Sequence, residues 1–270
     1  MVNYSFISKA ILYTFMTFEL ITIPCLSDNY AFLFYNIENR SALLVDAPEA
    51  DPINEILSKN NLNLEKIFLT HHHADHVDGL DGILKKHDAL TLGAQADIHR
   101  LPKLDKYVQA GDKISFQDQA GQVLDVSGHT IGHIALYIAS QNILFSGDSL
   151  MALGCGRLFE GSAEQMWHSL RNLLSLPDTT KVCSGHEYTE NNARFALTID
   201  PNNLDLLKRS ENVRTARRKN LFTVPSNLGL EKKTNPFLRP FDKNIRKKLN
   251  MCGSSDVEVF SKIRSLKDKF

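Results

Sequence analysis

The stretch KIFLTHHHADHVDG at residues 66–79 restricts the fold of this chain more than any other part of it. Four of the chain's ten histidines lie there within six positions. KIFLT has the apolar, short pattern of a β-strand, whose side chains alternate in direction. If the extended geometry continues past Thr70, His71 and His73 point to one side and His72 points away.

The chain is then expected to turn into a helix near Asp75, which brings Asp75 and His76 back toward the space in front of His71 and His73. Imidazole nitrogens and carboxylate oxygens suit zinc, iron or manganese. Two small clusters at the end of one strand therefore favour two adjacent metals over one. By the same geometry, His72 and Asp78 are predicted not to be ligands.

Later strands supply further candidate ligands where they end. His129 follows QVLDVSG, His133 precedes IALYI, Asp148 follows NILFSG and His186 follows KVCSG. A single polar residue after a strand is more often a cap or a satisfied polar group than a ligand. Their repetition at strand ends, with Asp148 suited to bridge two cations, favours the dinuclear interpretation.

The remaining pattern predicts sheets covered by helices, an α+β fold. Short apolar strands alternate with helices as far as Tyr188, and no strand is predicted after it. Helical patterns follow at 189–199, 205–220 and 256–270, and residues 225–241 are predicted to form an extended connector. The predicted division is an N-terminal extension (1–15), a catalytic domain (16–188) and a smaller helical domain (189–270).

The charge is distributed unevenly along the chain. The part up to Tyr188 has 13 Lys and Arg against 22 Asp and Glu, whereas the rest has 18 against 9. A basic C-terminal part indicates an anionic ligand there. The four cysteines are widely spaced without a C-x-x-C pair, which is typical of a reduced, cytoplasmic protein. No apolar run is long enough to span a bilayer, and Cys155 and Cys183 are expected to be buried, structural thiols.

The motifs THHHADH, SGHTIGH, FSGDSL, GCGRLFEG and SGHEYT, in this order, resemble the metallo-β-lactamase fold. GCGRLFEG, HEYT and the terminal RSLKDKF narrow the resemblance to glyoxalase II, the hydroxyacylglutathione hydrolases. It extends from about Glu19 to the last residue. The resemblance implies an αββα sandwich followed by a helical domain. It also implies the metal ligands: His71, His73 and His129 for one ion, Asp75, His76 and His186 for the other, and Asp148 bridging them.

The same resemblance implies that five residues bind the glutathione moiety. They are Arg157, Phe159, Tyr188, Arg264 and Lys267. Relatives with tyrosine at the position of Phe159 have one more hydroxyl contact. Most of the basic residues in 209–219 and 246–248 are predicted to be merely solvated, because exposed charges contribute little.

The implied reaction is hydrolysis of S-D-lactoylglutathione to D-lactate and glutathione, a step of methylglyoxal degradation. Asp75 and Asp148 would act with a hydroxide bridging two divalent ions, zinc being favoured over iron or manganese. A small-molecule thioester, no nucleic acid, no membrane and a monomer are expected. The alternatives are a phosphodiesterase or nuclease, a lactonase, a persulfide dioxygenase or a β-lactam hydrolase of the same fold, and a metal-binding relative without activity.

Overall fold

A computed structural model describes residues 17–270. The predicted extension, residues 1–15, lies outside this range. Two mixed sheets of six strands each form the centre of the fold. Strands of the first sheet occur in chain order: β1 Phe18–Cys25, β2 Asn29–Asn36, β3 Ser41–Val45, β4 Asn63–Phe68, β5 Leu90–Ala94 and β6 Lys106–Val108.

The second sheet is built from later parts of the chain and includes one strand from the C-terminal part. Its strands are, in chain order, β7 Lys113–Phe116, β8 Gln119–Asp125, β9 Ile134–Ile138, β10 Ile143–Gly147, β13 Lys181–Ser184 and β14 Ser226–Asn227. Between β10 and β13 lie the two short strands of a separate hairpin, β11 Leu150–Met151 and β12 Gly154–Cys155. The order within this sheet is β14-β13-β10-β9-β8-β7.

The two sheets face each other across a shared core, and the alternation of side chains along β9 shows how. Ile134, Leu136 and Ile138 point into the core between the sheets. Ala135 and Tyr137 point the other way, into a second core under the helices. The sandwich therefore has an apolar layer on both faces of its second sheet, which explains why β9 reads as a continuous apolar run.

Helices cover the outer faces and form the C-terminal part. They are α1 Ala50–Lys59, α2 Ala74–Val77, α3 Leu80–Leu84, α4 Ala163–Leu173, α5 Thr189–Ile199, α6 Leu204–Arg218, α7 Leu228–Thr234, α8 Lys243–Lys248 and α9 Asp256–Asp268. α4 and α9 begin with capping boxes at Ser162 and Ser255. A capping box satisfies two backbone N–H groups that would otherwise lack a partner at the start of the helix. The expected αββα sandwich followed by a helical part is confirmed.

Three details of the predicted elements are wrong. The segment 225–241 is not an extended connector, because it contains β14, α7 and a 3-10 turn at Pro236–Leu238. Strands do not stop at Tyr188, since β14 pairs with β13. β4 ends at Phe68 rather than at Thr70. The backbone N–H of Thr70 is instead bound by the Asp46 carboxylate, at 2.8 Å, so a side chain replaces the strand partner there.

Candidate metal centre and substrate cavity

Seven histidine and aspartate side chains converge at one edge of the sandwich, where several strands end. β3–β4 and β10–β13 are parallel pairs, so the residues that follow these strands meet at the same edge. His71, His73, Asp75 and His76 follow β4. The other three come from separate strand ends: His129 between β8 and β9, Asp148 after β10 and His186 after β13.

The first group of donors is formed by His71, His73 and His129. Nδ1 of His73 lies 3.1 Å from Nε2 of His71 and 3.1 Å from Nε2 of His129. Nitrogens that bind one zinc tetrahedrally at about 2.0–2.1 Å lie about 3.3–3.4 Å apart. The spacing of the three nitrogens therefore fits a single cation.

The second group is formed by Asp75, His76 and His186. Nε2 of His76 lies 3.4 Å from Nε2 of His186, and Oδ2 of Asp75 lies 3.4 Å from the same His186 atom. Asn29 holds this carboxylate with a 3.0 Å hydrogen bond from Nδ2 to Oδ2. Here too, donor atoms from two distant segments of the chain face one another at ligand-to-ligand distances.

Asp148 lies between the two groups. Its Oδ1 is 3.5 Å from Nε2 of His76, and its Oδ2 is 3.6 Å from Nε2 of His129 and 3.2 Å from Nε2 of His186. The side chain is buried, and Oδ1 has no hydrogen-bond partner among residues 17–270. A buried carboxylate oxygen without a partner is costly unless a cation or donor satisfies it.

The outer nitrogens of the histidines are bound so that the inner ones are left as lone pairs. Nδ1 of His76 donates to Asp46 at 2.8 Å, and Nδ1 of His186 donates to Asp28 at 2.8 Å. Nδ1 of His129 donates to the Arg157 carbonyl at 2.8 Å. In the neutral form of each ring, the proton is then on Nδ1 and the lone pair is on Nε2, as a metal ligand requires.

His71 is fixed in the same way through Thr70. The Thr70 hydroxyl donates to Asp46 and lies 3.0 Å from Nδ1 of His71, from which it accepts. In the neutral rings, the Nε2 lone pairs of His76 and His186 therefore face each other at 3.4 Å, which is repulsive without a cation or proton between them. Nε2 of His71 and Nε2 of His129 both lie 3.1 Å from Nδ1 of His73, which has at most one hydrogen to donate. The donor set and its outer partners fit bound divalent metals.

The pKa values of the first group and of Asp148 agree with that chemistry. Burial lowers the pKa of His71, and neighbouring histidines add to the effect. The pKa of His73 falls to about 4 for the same two reasons. Burial disfavours the charged form of Asp148, but His186 and His76 outweigh it and hold the pKa of Asp148 well below its usual range. The first group is therefore neutral and Asp148 is anionic at neutral pH.

In the second group, burial lowers the pKa of His76 and His186, but Asp148 outweighs burial, so the pKa of His76 is raised and that of His186 rises to about 9. A bound cation would have to displace a proton there.

His133, His72 and Asp78 lie outside both groups. Nε2 of His133 accepts a 3.0 Å hydrogen bond from the backbone N–H of Asp148, which helps to fix the position of Asp148. His72 belongs to neither group, as predicted: its Nδ1 lies 3.1 Å from Asp97, although its ring still contacts that of His73, with 4.9 Å between centroids. Asp78 is exposed on the far side of α2.

A cavity of about 510 Å³ opens in front of the metal centre. All five predicted substrate-binding residues line it, together with five of the seven predicted metal ligands. The five ligands are His73, Asp75, His129, Asp148 and His186. The remaining two, His71 and His76, are fully buried behind them.

The cavity wall opposite the metal centre is strongly cationic. Arg264 is buried and donates to the Cys155 carbonyl at 2.9 Å and to Asp268 at 2.9 and 3.1 Å. Nζ of Lys267 is buried without a hydrogen-bond partner in the described part of the chain. Burial, followed by Arg264, lowers the pKa of Lys267 to about 8.

Two aromatic side chains frame the entrance. The ring of Tyr188 stacks on the ring of His186 with 4.6 Å between centroids. Phe159 is 60 % exposed and lies edge-on to His73 and His129, with the Arg157 guanidinium 5.9 Å from its ring centre. An exposed aromatic over a cavity is available to pack against a bound molecule.

Cys155 also lines the cavity, but its thiol is not set up as a nucleophile. Burial raises its pKa to about 11, although Arg264 partly opposes this. The thiol therefore stays protonated at neutral pH, and a reactive cysteine needs the thiolate. Cys155 and Cys183 are both buried, as expected.

The outer partners Asp46, Asp28 and Asn29 were not predicted from the sequence. A signal for Asp46 was present, because it follows β3 directly and so ends a strand parallel to β4, as the ligands do. Asp28 lies in the turn between β1 and β2, and Asn29 is the first residue of β2. Their contacts to His186 and Asp75 bridge 158 and 46 positions of the chain. Those contacts depend on tertiary structure.

Comparisons with known proteins give the same family along nearly the whole chain. The model of the Metallo-beta-lactamase superfamily matches residues 29–186, and that of the Hydroxyacylglutathione hydrolase C-terminus matches residues 187–270. The hydroxyacylglutathione hydrolase of Roseobacter denitrificans is 54% identical over 94% of this chain and 100% of its own length. That of Ruegeria pomeroyi is 51% identical over the same shares.

Solved structures show the same fold at low sequence identity. The BLEG-1 B3 metallo-beta-lactamase superposes with a TM-score of 0.65 at 21% identity, covering 82% of this chain and 100% of that one. TTHA1623 in a di-iron-bound form has a TM-score of 0.59 at 24% identity, covering 81% and 98%. At this identity the likeness shows the fold alone.

Proposed function

Because this chain belongs to the hydroxyacylglutathione hydrolase family of the metallo-β-lactamase superfamily, we propose that it hydrolyses S-D-lactoylglutathione to D-lactate and glutathione. It is a metal-dependent hydrolase with a site rich in histidine and aspartate. One observation carries the proposal: the side chains suited to hold metals and those suited to bind an anionic thiol compound line the same cavity.

We infer two divalent cations, one held by His71, His73 and His129, the other by Asp75, His76 and His186, with Asp148 shared between them. Such ions supply Lewis acidity and activate water for attack at neutral pH. The close approach of histidine nitrogens at 3.1–3.4 Å and the unpartnered Oδ1 of Asp148 support this assignment. Zinc, iron and manganese all accept such ligands, and the preference for zinc stays a prediction.

The chain's own groups would orient the reacting parts. The Asp75 carboxylate is half-exposed to the cavity and anchored by Asn29, so it can receive the proton of an attacking water. Burial raises the pKa of Asp75, but Asn29 and His76 outweigh burial and leave it below its ordinary value. Asp75 is therefore an ionised acceptor. The departing thiol ionises near pH 8–9, so its release needs no strong acid from the protein.

The glutathione part of the substrate carries two carboxylates, which the cationic wall would bind. Lys267 is the best placed, since its buried Nζ has no hydrogen-bond partner within residues 17–270 and faces the cavity. Arg157 is largely exposed at the entrance, and its ion pair with Asp268 is long, at 3.5 Å, so it can turn to the ligand. Arg264 is already held by Cys155 and Asp268, so it contributes charge more than free donors. Phe159 and Tyr188 would pack against the peptide.

The test is thiol release from S-D-lactoylglutathione, followed with a thiol-reactive dye on protein whose metal content is measured in parallel. We expect rapid release with nearly two metals per chain, and loss of release after chelation that is reversed by added zinc. A phosphodiester and a lactone serve as comparison substrates. Fully loaded protein that releases no thiol would contradict the proposal, and turnover of a comparison substrate instead would assign a different hydrolase activity.

Three further predictions accompany this function. The monomeric state, the absence of nucleic-acid and membrane partners, and the cytoplasmic location stay predictions. Within residues 17–270, no helix combines the length and apolar character needed to cross a membrane.

A further inference from the structure

The loop formed by residues 156–161 carries Arg157 and Phe159 to the cavity, yet it lies between β12 and α4 without regular secondary structure. Its two cavity side chains are 58% and 60% exposed, so they do not anchor it. Its backbone is held by long hydrogen bonds from the N–H groups of Phe159 and Gly161 to the carbonyls of residues 129 and 128, at 3.3 and 3.2 Å. At its start, the N–H of Gly156 donates to residue 149 at 3.1 Å and the Arg157 carbonyl accepts from His129 at 2.8 Å. A loop of this kind needs side-chain anchors to keep one conformation.

Glu160 supplies such an anchor. Its Oε2 accepts a 2.8 Å hydrogen bond from the backbone N–H of Ile131, and its Oε1 accepts from Nη1 of Arg100. Nε2 of His72 lies 3.4 Å from the same Oε1. The carboxylate therefore ties the 156–161 loop to three other segments of the chain.

Arg100 connects this anchor to a fixed point in the core. Its Nη2 donates to Oδ1 of Asp97, a fully buried carboxylate whose Oδ2 lies 3.1 Å from Nδ1 of His72. A Cβ atom added to Gly132 would lie 2.2 Å from Asp97 Oδ1, so the turn before β9 packs directly on this carboxylate. Asp97 cannot move without displacing that turn.

The charges show why Arg100 is the essential member of this cluster. It is the guanidinium between two carboxylates, Asp97 and Glu160, and its planar fork can bind both at once. Without it the two anions would face each other beside His72, and their repulsion in a partly buried place would favour release of Glu160.

We propose that Arg100 is a positioning residue for the substrate, because through Asp97 and Glu160 it holds the 156–161 loop with Arg157 and Phe159 at the cavity. The inference rests on the proposed function, which makes those two side chains substrate contacts. Arg100 itself does not line the cavity. Its loss should therefore weaken substrate binding while the metal centre and the chemical step are retained.

The test compares Arg100→Met with Arg239→Met. Arg239 is a matched control, since it also bridges two carboxylates, Asp200 and Asp242, at 2.5 Å each, and it does not line the cavity. We expect Arg100→Met to raise KM about tenfold with kcat changed less than about twofold, the pattern of lost substrate positioning. Both variants should lose thermal stability, but only Arg100→Met should raise KM. Metal content should equal that of the wild type in both.

Two further variants separate positioning from general loosening. Arg100→Lys keeps the charge without the fork, so its KM should lie between those of the wild type and Arg100→Met. Glu160→Gln should raise KM as Arg100→Met does, and the double variant should raise it no further, since both act through one contact. An unchanged KM in Arg100→Met, or an equal rise in Arg239→Met, overturns the inference. Absence of thiol release by the wild type would reject the proposed function itself.

Discussion

Lys267 gives a quantitative test of the cationic wall, because its charge is lost within the pH range of an enzyme assay. Burial lowers its pKa from 10.5 to about 8, with Arg264, Arg194 and Arg157 adding to the effect and Asp268 opposing it. Its ammonium group lies over the rings of two aromatic residues, with no hydrogen-bond acceptor in the described structure. Titration of this group should therefore appear directly in substrate affinity.

The expected size of the effect follows from the fraction of enzyme that carries the charge. With a pKa of about 8, about 90% of Lys267 is charged at pH 7 and about 10% at pH 9. The apparent affinity scales with the binding-competent fraction, so KM should rise about tenfold between these pH values, or about 1.4 kcal/mol.

The assay measures KM for S-D-lactoylglutathione at pH 7, 8 and 9 in the wild type, Lys267→Arg and Lys267→Met. Arginine stays charged throughout, so the rise attributable to residue 267 should disappear in Lys267→Arg. Lys267→Met should have a high KM at every pH. The substrate's own ammonium group also ionises in this range, but its effect is common to all three proteins and cancels in the comparison.

A wild-type KM that stays within about twofold from pH 7 to pH 9 would refute the role of the Lys267 charge. The same conclusion follows if Lys267→Arg shows a rise as large as that of the wild type, since the titrating group would then lie elsewhere.

Three other predictions concern metal binding and stability. Asp148→Asn should lower the bound metal, measured by elemental analysis, from near two ions per chain to one or less. It should also reduce kcat for thiol release strongly. An unchanged metal content would show that Asp148 is not the shared ligand. Asp46→Ala should weaken metal binding about 10–100-fold, because Nδ1 of His76 loses its acceptor. Asp105→Ala is its control, since Asp105 binds a threonine N–H and hydroxyl in the same way at β5, and equal metal loss in both would contradict the assignment. Lys267→Met should raise Tm at pH 7 and raise it less at pH 10. The pKa of Lys267 in the folded protein, about 8, lies below the ordinary 10.5, so the buried charge destabilises the fold. This destabilisation by charged Lys267 is complete below pH 8 and disappears as the pH approaches 10.5.

Local sequence patterns predicted the helices whose formation does not depend on a distant contact. The helix predicted at 189–199 agrees with α5 over its full length, and the one predicted at 256–270 agrees with α9 except for its last two residues. The segment 225–241 was wrongly predicted because its helix is short and lies between prolines, so the turn signals outweigh the helical period. Glu231 in α7 is fully buried against Arg209, a tertiary contact that helps to hold the helix where the local pattern is weak.

The outer shell of the metal centre was beyond the reach of local patterns. Asp28 contacts His186 across 158 positions, and Asp46 contacts His76 across 30. Carboxylates near turns are common, and nothing in their immediate neighbours distinguishes these two from solvated ones. The same holds for Arg100 and Glu160, which meet across 60 positions.

By itself the sequence determined the kind of chemistry, because H-x-H-x-D-H at the end of a strand and His or Asp after later strands are ligand types in a fixed local geometry. The alternation of side chains separates His72 from its neighbours before any tertiary contact forms. Only the tertiary structure decided which nitrogen of each histidine is free, which cations face the cavity and what holds the 156–161 loop. These depend on two sheets and a helical part bringing residues more than a hundred positions apart within hydrogen-bond distance, and no local period encodes such distances.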